Sequence, residues 1–185
     1  MARVTHVKHA KQDYPIHGIA KGQEYWWTKH AYGPKLFFKS PPKPSQLTQS
    51  EFLSQAYDFE ERIGALDAKD FDTIEDLKSE VQSIAEDIRT LGEEQQEKHD
   101  NMPEGLQDGD TGQLLEQRAQ SMEDWATELE SACDSLDDSP DEPRKDDAEL
   151  ASCYALRVTE WQTGVKDGIT AAIDEIQGAS SPEIE

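Results

Sequence analysis

The clearest pattern in the chain is a series of apolar positions spaced three and four residues apart. Its members are Ile74, Leu77, Val81, Ile84, Ile88 and Leu91. This spacing places all six on one side of an α-helix and matches the seam of a coiled coil or of a long bundle helix. The sequence therefore predicts a helix over about 72–99, which begins near Asp72 or Thr73.

Three further segments show helical periodicity, over about 49–66, 111–136 and 146–177. Thr48 and Glu51 have the spacing of a capping box at the start of the first. In the last segment one side of the helix carries Ala151, Tyr154, Val158, Trp161, Val165, Ala172 and Ile176. The four helices predict a mainly α fold, an elongated antiparallel helical bundle or coiled coil. We favour closure within one chain, and a coiled-coil dimer is the alternative because a heptad pattern does not distinguish the two.

The N-terminal part has a different pattern. Short aromatic runs at about 24–28 and 35–39 have strand character, and Tyr32 to Lys35 between them contains the Gly-Pro pair of a turn. This predicts a β-hairpin. Because an isolated hairpin is only marginally stable in water, we expect it to pack on the helical body or on a third short strand near Ile16–Ile19.

Charge separates the same two parts. The 185 residues carry a net charge of -22. Residues 1–45 hold eight basic and two acidic side chains, a net +6, whereas the other 140 residues hold 10 basic and 38 acidic ones, a net -28. We therefore predict a basic aromatic head with a Pro-rich connector over 1–45, an acidic helical body over 46–177 and a disordered tail over 178–185.

The composition of the head favours nucleic-acid binding. Lysines attract phosphates, and exposed aromatic rings stack on unpaired bases. The candidate residues are Lys29, Lys35, Lys39, Trp26, Trp27 and Tyr32. Two structural explanations compete with this function: the aromatic residues form the core of the head and the lysines its solvated rim, or the basic head docks on the acidic body.

The acidic composition of the body is compatible with two functions. The body could serve as an assembly surface, or its carboxylates could imitate the phosphates of DNA and inhibit a host protein. Acidic helices are nevertheless usually only solvated faces that keep a protein soluble.

Residues that could support catalysis are not arranged for it. The paired carboxylates Glu93-Glu94 and Asp137-Asp138 lie in surface contexts, and the chain has no phosphate-binding loop or nucleophile elbow. We predict that the protein is not an enzyme. Cys133 and Cys153 fall on the apolar sides of their helices, where they are predicted to be small core side chains.

Part of the N-terminal region resembles a group of uncharacterised tailed-phage proteins. The shared features are the Ile19-Ala20-Lys21-Gly22 stretch before the aromatic residues, the Trp26-Trp27 pair, the Tyr32-Gly33 turn and the helix start PSQLTQSEF at 44–52. The resemblance covers roughly residues 14–57. It implies a zinc-ribbon-like head with four cysteines followed by an acidic helical region, and phage origin. The function of that family does not follow from the resemblance.

The chain departs from this pattern at the metal ligands. The segments 13–17 and 37–42, where the family has its cysteine pairs, contain no cysteine. Thiolate pairs hold zinc in such heads, so we expect a degenerate ribbon without metal and without cofactor. Four imidazoles could hold a metal, but the spacing of the histidines His6, His9, His17 and His30 is not a recognised zinc motif.

These observations together predict a phage interaction protein whose head binds nucleic acid or a nucleic-acid-associated protein of phage or host. The chain has no apolar run of membrane-spanning length, so no membrane contact is expected. The host cytoplasm is the expected location, with association to the virion as the alternative.

Overall fold

A computed structural model describes residues 3–30, 33–144, 151–179 and 182. The fold is mainly helical, with long helices packed against each other and a small three-stranded antiparallel sheet near the N-terminus. The chain divides into two compact units, residues 1–58 and 59–185. The first unit therefore includes, besides the predicted head, the segment 46–58. Within the described ranges, none of the helices combines the length and the apolar character needed to cross a bilayer.

The sheet of the first unit has the order β1-β2-β3. Its strands are β1 (Thr5–Val7), β2 (Tyr25–Lys29) and β3 (Lys35–Phe38). Strands β2 and β3 pair antiparallel, which confirms the predicted hairpin. The third strand is β1 and not the segment near residues 16–19, so that part of the prediction is wrong.

The segment before β2 forms a tight turn instead of a strand. Pro15–His17 is a single 3-10 turn, and Gly18 closes it in the left-handed conformation with φ 62°. Proline fixes its own φ and glycine adopts positive φ at little cost, so this pair favours a turn over an extended strand. Only an isolated bridge between Tyr14 and Ile19 is formed here, and Ile16 is 93% exposed.

The first long helix is α1 (Glu51–Gly64). Ser50, and not the expected Thr48, caps it, since the Leu53 amide donates to Ser50 Oγ over 3.4 Å. Thr48 Oγ1 instead accepts from the Ser50 amide. The expected helix start is thus two residues too early, because three hydroxyl- or amide-bearing residues in succession compete for the cap.

The predicted seam forms the core of the second unit. Helix α2 (Ile74–Asp100) begins with a capping box between Thr73 and Asp76. All six apolar seam residues of α2 are buried, with exposed fractions of 7% or less. Gln95, four residues after the last of them, is buried at 2% exposure and continues the seam with a polar side chain.

Helix α4 (Asp110–Ser135) packs antiparallel against α2. Lys78 near the start of α2 donates to the Leu136 carbonyl just after α4, and Gly92 later in α2 faces the side chain of Met122. A four-residue helix α3 (Glu104–Gln107) lies between α2 and α4, where the sequence predicts no helix. The side-chain amide of Gln107 donates to the Met102 carbonyl and stabilises this short helix.

The acidic segment 137–144 that follows α4, which we call the linker, is non-helical and contributes to the capping of α2. Ser139 Oγ accepts from the Ile74 amide over 2.8 Å, and the Ser139 amide donates to Glu75 Oε1 over 2.8 Å. Glu75's own backbone N–H, followed by the hydroxyl and amide of Ser139, lowers the pKa of the Glu75 carboxyl to about 2. The linker therefore supplies an acceptor for one of the free N–H groups at the start of the helix, and a donor for the Glu75 carboxylate.

The last helix, α5 (Ala151–Gly178), is only half packed. In its second half Val165, Ile169, Ala172, Ile173 and Ile176 are buried, and the Lys166 ammonium donates to the carbonyls of Ala68 and Phe71. None of the described side chains from 152 to 164 is buried.

Two expectations for this end of the chain change as a result. Cys133 is buried as predicted, but Cys153 is exposed, because it lies in the unpacked half of α5. Gly178 belongs to α5, and the rest of the predicted tail lies outside the described residues except for Ala179 and Pro182. The predicted helical residues 146–150 also lie outside them.

Candidate nucleic-acid interface

The strand alternation of the sheet divides the candidate residues between two faces. Side chains along β2 point alternately to opposite sides, so Tyr25, Trp27 and Lys29 share one face while Trp26 and Thr28 share the other. The register extends both faces across the sheet. Trp27 pairs with Phe37 on the first face, and Trp26 pairs with Phe38 on the second.

The first face carries the core of the head. A buried cluster of Ala10, Ile19 and Tyr25 is surrounded by the half-buried side chains of Val7, Tyr14, Trp27 and Phe37. The rings of Tyr14, Tyr25 and Phe37 lie 5.4 to 5.8 Å apart. Burial, and then the neighbouring Tyr14, raises the pKa of Tyr25. The expectation that aromatic residues form the core is correct for this face.

Two lysines lie directly opposite each other at the edge of this core. Lys29 at the end of β2 pairs with Lys35 at the start of β3, and both side chains are exposed. Lys35 Nζ lies 4.2 Å from the centre of the Trp27 ring, a cation–π contact. Like charges in direct cross-strand register destabilise a sheet. Neither lysine forms an ion pair with a carboxylate in the part of the chain that the structure describes.

A third lysine lies at the other end of β3. Lys39 Nζ is 2.7 Å from the position that a Cβ on Gly18 would occupy. The neighbouring His17 stacks on Phe37, with ring centres 4.3 Å apart. Four residues of extended strand span about 13 Å, which separates the backbone positions of Lys35 and Lys39. We call Lys29, Lys35 and Lys39 the lysine strip.

The second face carries a stacked aromatic pair. His6 lies parallel to Trp26, with ring centres 4.5 Å apart and an interplanar angle of 7°. His6 Nε2 is 3.3 Å from Glu24 Oε2, and Phe38 flanks Trp26 on the other side in register. The structure therefore separates Trp26 from Trp27 and the lysine strip, although the two tryptophans are adjacent in sequence.

One candidate residue, Tyr32, lies outside the described residues. His6 and His17, which stack on the candidate aromatic strands, are not among the residues that the sequence nominates. Alternation along β2 and β3 is enough to assign each candidate side chain to the correct face of the sheet. It does not reveal the two histidines, because they come from other segments of the chain.

The histidines are engaged in separate contacts. His6 and His17 stack on different faces of the sheet, and His9 Nδ1 lies 3.3 Å from the Gly22 carbonyl oxygen. Across the described ranges, no three histidine, cysteine, aspartate or glutamate side chains are grouped so that they could hold a metal ion.

The carboxylates of the body are largely solvated or paired. Glu93, Glu94 and Asp137 are exposed, and the exposed Asp138 accepts from Lys78 over 2.9 Å. Glu130 holds the Arg89 guanidinium through two bonds of 2.8 and 2.9 Å, and these bonds lower the pKa of Glu130. These are pairs that hold α2 to α4.

Comparison of the chain with protein-family models, with curated proteins and with solved structures finds no match. The resemblance to tailed-phage proteins therefore stays a prediction, and the candidate site rests on its geometry.

Proposed function

We propose that the N-terminal unit binds single-stranded nucleic acid, with the phosphates on the lysine strip. The observation that carries this proposal is the in-register pair of Lys29 and Lys35. A cross-strand pair of like charges costs stability, and a bound phosphate between them would turn that repulsion into attraction.

The shape of the sheet favours a single strand over a duplex. Lys35 and Lys39 of the lysine strip lie about 13 Å apart along the edge strand β3, a spacing that fits a flexible backbone laid along that strand. The half-buried Trp27 ring lies on the same face as the lysine strip, and stacking of bases on such a ring requires that the bases are unpaired. A nucleic-acid-associated protein with an acidic surface is the alternative ligand.

The test is fluorescence anisotropy with labelled single-stranded DNA and RNA and with duplex DNA, over a range of salt concentrations. The full chain is compared with Lys29→Gln/Lys35→Gln. For a single strand each neutralised phosphate contributes about -0.7 to the slope of log K against log salt, so the loss of two contacts reduces the slope by about 1.4.

The matched control is Lys8→Gln/Lys11→Gln, which removes the same charge from two exposed lysines of the same unit. Under the proposal this control retains most of the salt slope. An equal loss in both double variants would show general attraction to a basic surface. Absence of binding at low salt would refute the proposal altogether.

A second candidate function, assembly through the helical body, is favoured by one observation. Leu156 in α5 is 64% exposed, in a half-helix without a buried side chain among its described residues. A variant without the lysine strip that still assembles would distinguish this function from nucleic-acid binding. The third candidate is imitation of DNA by the body. It would require that a variant without the lysine strip still inhibits a DNA-binding protein.

A further inference from the structure

We infer that residues 152–164 of α5 form an antiparallel helix pair with a second copy of this chain. We call this segment the α5 overhang, because α5 here extends past the helices that bury its second half. Ile74, the first residue of α2, already lies beside Gly168, and Ser135, the last residue of α4, bonds Glu175. Toward its N-terminus the overhang has contacts with the linker, from Trp161 to Pro140 and from Arg157 to Arg144.

A glycine in the overhang is not explained by packing within the chain. Gly164 lies in the interior of α5, where glycine destabilises a helix relative to alanine. A Cβ at this position would meet no atom within 4 Å. Gly168, one turn later, faces Ile74. A small residue on an open helix face allows the backbone of another helix to approach closely.

The same side of the overhang has a seam that is complementary to itself. Cys153, Arg157, Glu160 and Gly164 are exposed and follow each other at spacings of four, three and four. In an antiparallel pair centred between Val158 and Thr159, Arg157 faces Glu160 of the second copy. Cys153 then faces Gly164 of the second copy. Each contact occurs twice, as a two-fold interface requires.

Charge selects the second copy and the antiparallel direction. Arg157 and Glu160 are the only charged residues from 152 to 165, in a body whose net charge is -28. Two such bodies repel each other over most of their surface, and the overhang is a neutral segment through which they can meet. A parallel pair would place Arg157 against Arg157 and Glu160 against Glu160, whereas the antiparallel pair places each of them opposite the other's charge.

The apolar side chains flank this seam. Leu156 lies on one side of it, and the half-buried Tyr154 and Trp161 lie on the other. The overhang is about 20 Å long. This length corresponds to a small interface and to a concentration-dependent dimer.

The first test measures the mass of the full chain by sedimentation equilibrium over a wide range of concentrations. The wild type is expected to approach twice 20.8 kDa as its concentration rises. Arg157→Glu and Glu160→Arg each place like charges in contact and are expected to weaken the dimer at least about tenfold. The double variant Arg157→Glu/Glu160→Arg restores the opposite charges and is expected to recover the dimer, a rescue that general surface effects do not produce.

The second test traps the register. Gly164→Cys is expected to form disulfide-linked dimers under mild oxidation, between Cys153 of one copy and the new thiol of the other. Wild type is the control: its Cys153 side chains lie about 16 Å apart along an antiparallel pair and are not expected to link. Circular dichroism confirms that each variant folds.

Three outcomes would overturn the inference. The first is a wild type that stays monomeric at all concentrations. The second is a dimer unaffected by Leu156→Glu and by either charge reversal, which would place the interface elsewhere or indicate a different occupant. The third is a wild-type disulfide dimer through Cys153, which would indicate a parallel pair.

Discussion

Replacement of Gln95 by methionine should stabilise the helical unit. Gln95 occupies the next seam position after Leu91, at 2% exposure, and its side-chain nitrogen has no hydrogen-bond partner among the described residues. A buried amide without a partner has lost its hydration without compensation. Methionine is also unbranched and of similar length, so it can fill the same space with an apolar chain.

The magnitude follows from the cost of the unsatisfied group. A buried donor without an acceptor costs about 1–3 kcal/mol, and we expect Gln95→Met to recover about 1–2 kcal/mol of the free energy of unfolding. For a chain of this size, each kcal/mol corresponds to a rise of about 2–4 °C in Tm. The gain should appear as a higher urea midpoint with an unchanged m value.

The assay is urea unfolding followed by circular dichroism at the helical band, which reports mainly on the second unit. Gln82→Met is the matched control, because Gln82 lies on the same helix but is exposed. Its effect should stay within about 0.5 kcal/mol. A midpoint for Gln95→Met equal to or below that of the wild type would refute the argument, since it would show that the buried amide is satisfied or needed for the packing.

Three further predictions concern the same unit. Ile88→Ala, at a position with 0% exposure, should lower the free energy of unfolding by about 2–5 kcal/mol in the same urea assay, and a loss below about 1 kcal/mol would mean that the seam is not its core. Gly112→Ala should lower the thermal midpoint, because its Cβ would collide with the Gln107 carbonyl oxygen in the preceding turn; Gly105→Ala, with open space around it, should not. Because the pKa of Glu75 is lowered from 4.5 to about 2, its contribution to stability is present above pH 4.5 and is lost as the pH falls toward 2. The stability difference between wild type and Glu75→Gln should therefore shrink over that interval, and a constant difference would contradict the assignment.

The sequence predicts the seam of α2 well, because each apolar residue at the three- and four-residue spacing is buried in the structure. It predicts α5 less well for a physical reason. The apolar side from Tyr154 to Ile176 shows which face can be buried, but not how far the partner helices extend. Burial ends where α2 begins and α4 ends, so Tyr154, Val158 and Trp161 remain half-buried and Cys153 is exposed.

The candidate site shows a similar limit. The hairpin follows from aromatic runs and turn residues, and strict alternation already requires Trp26 and Trp27 to lie on opposite faces. Strand β1 has only three residues, too few for a periodic signal, and His6 comes from it. The stacking of His6 on Trp26 therefore depends on a strand pairing that local patterns do not encode.

Only the second half of α5 is packed within the chain, and this affects the thermodynamics of any binding to its N-terminal half. An isolated helix of about 12–15 residues is marginal in water, so the segment before Val165 should undergo local unfolding and exchange its amide protons faster than the segment after it. A ligand or protein that binds there must order this segment as it binds. This ordering reduces the net free energy of association, so binding should be weak for its contact area and readily reversible. Its entropy change should be large and unfavourable, and a favourable enthalpy should offset it.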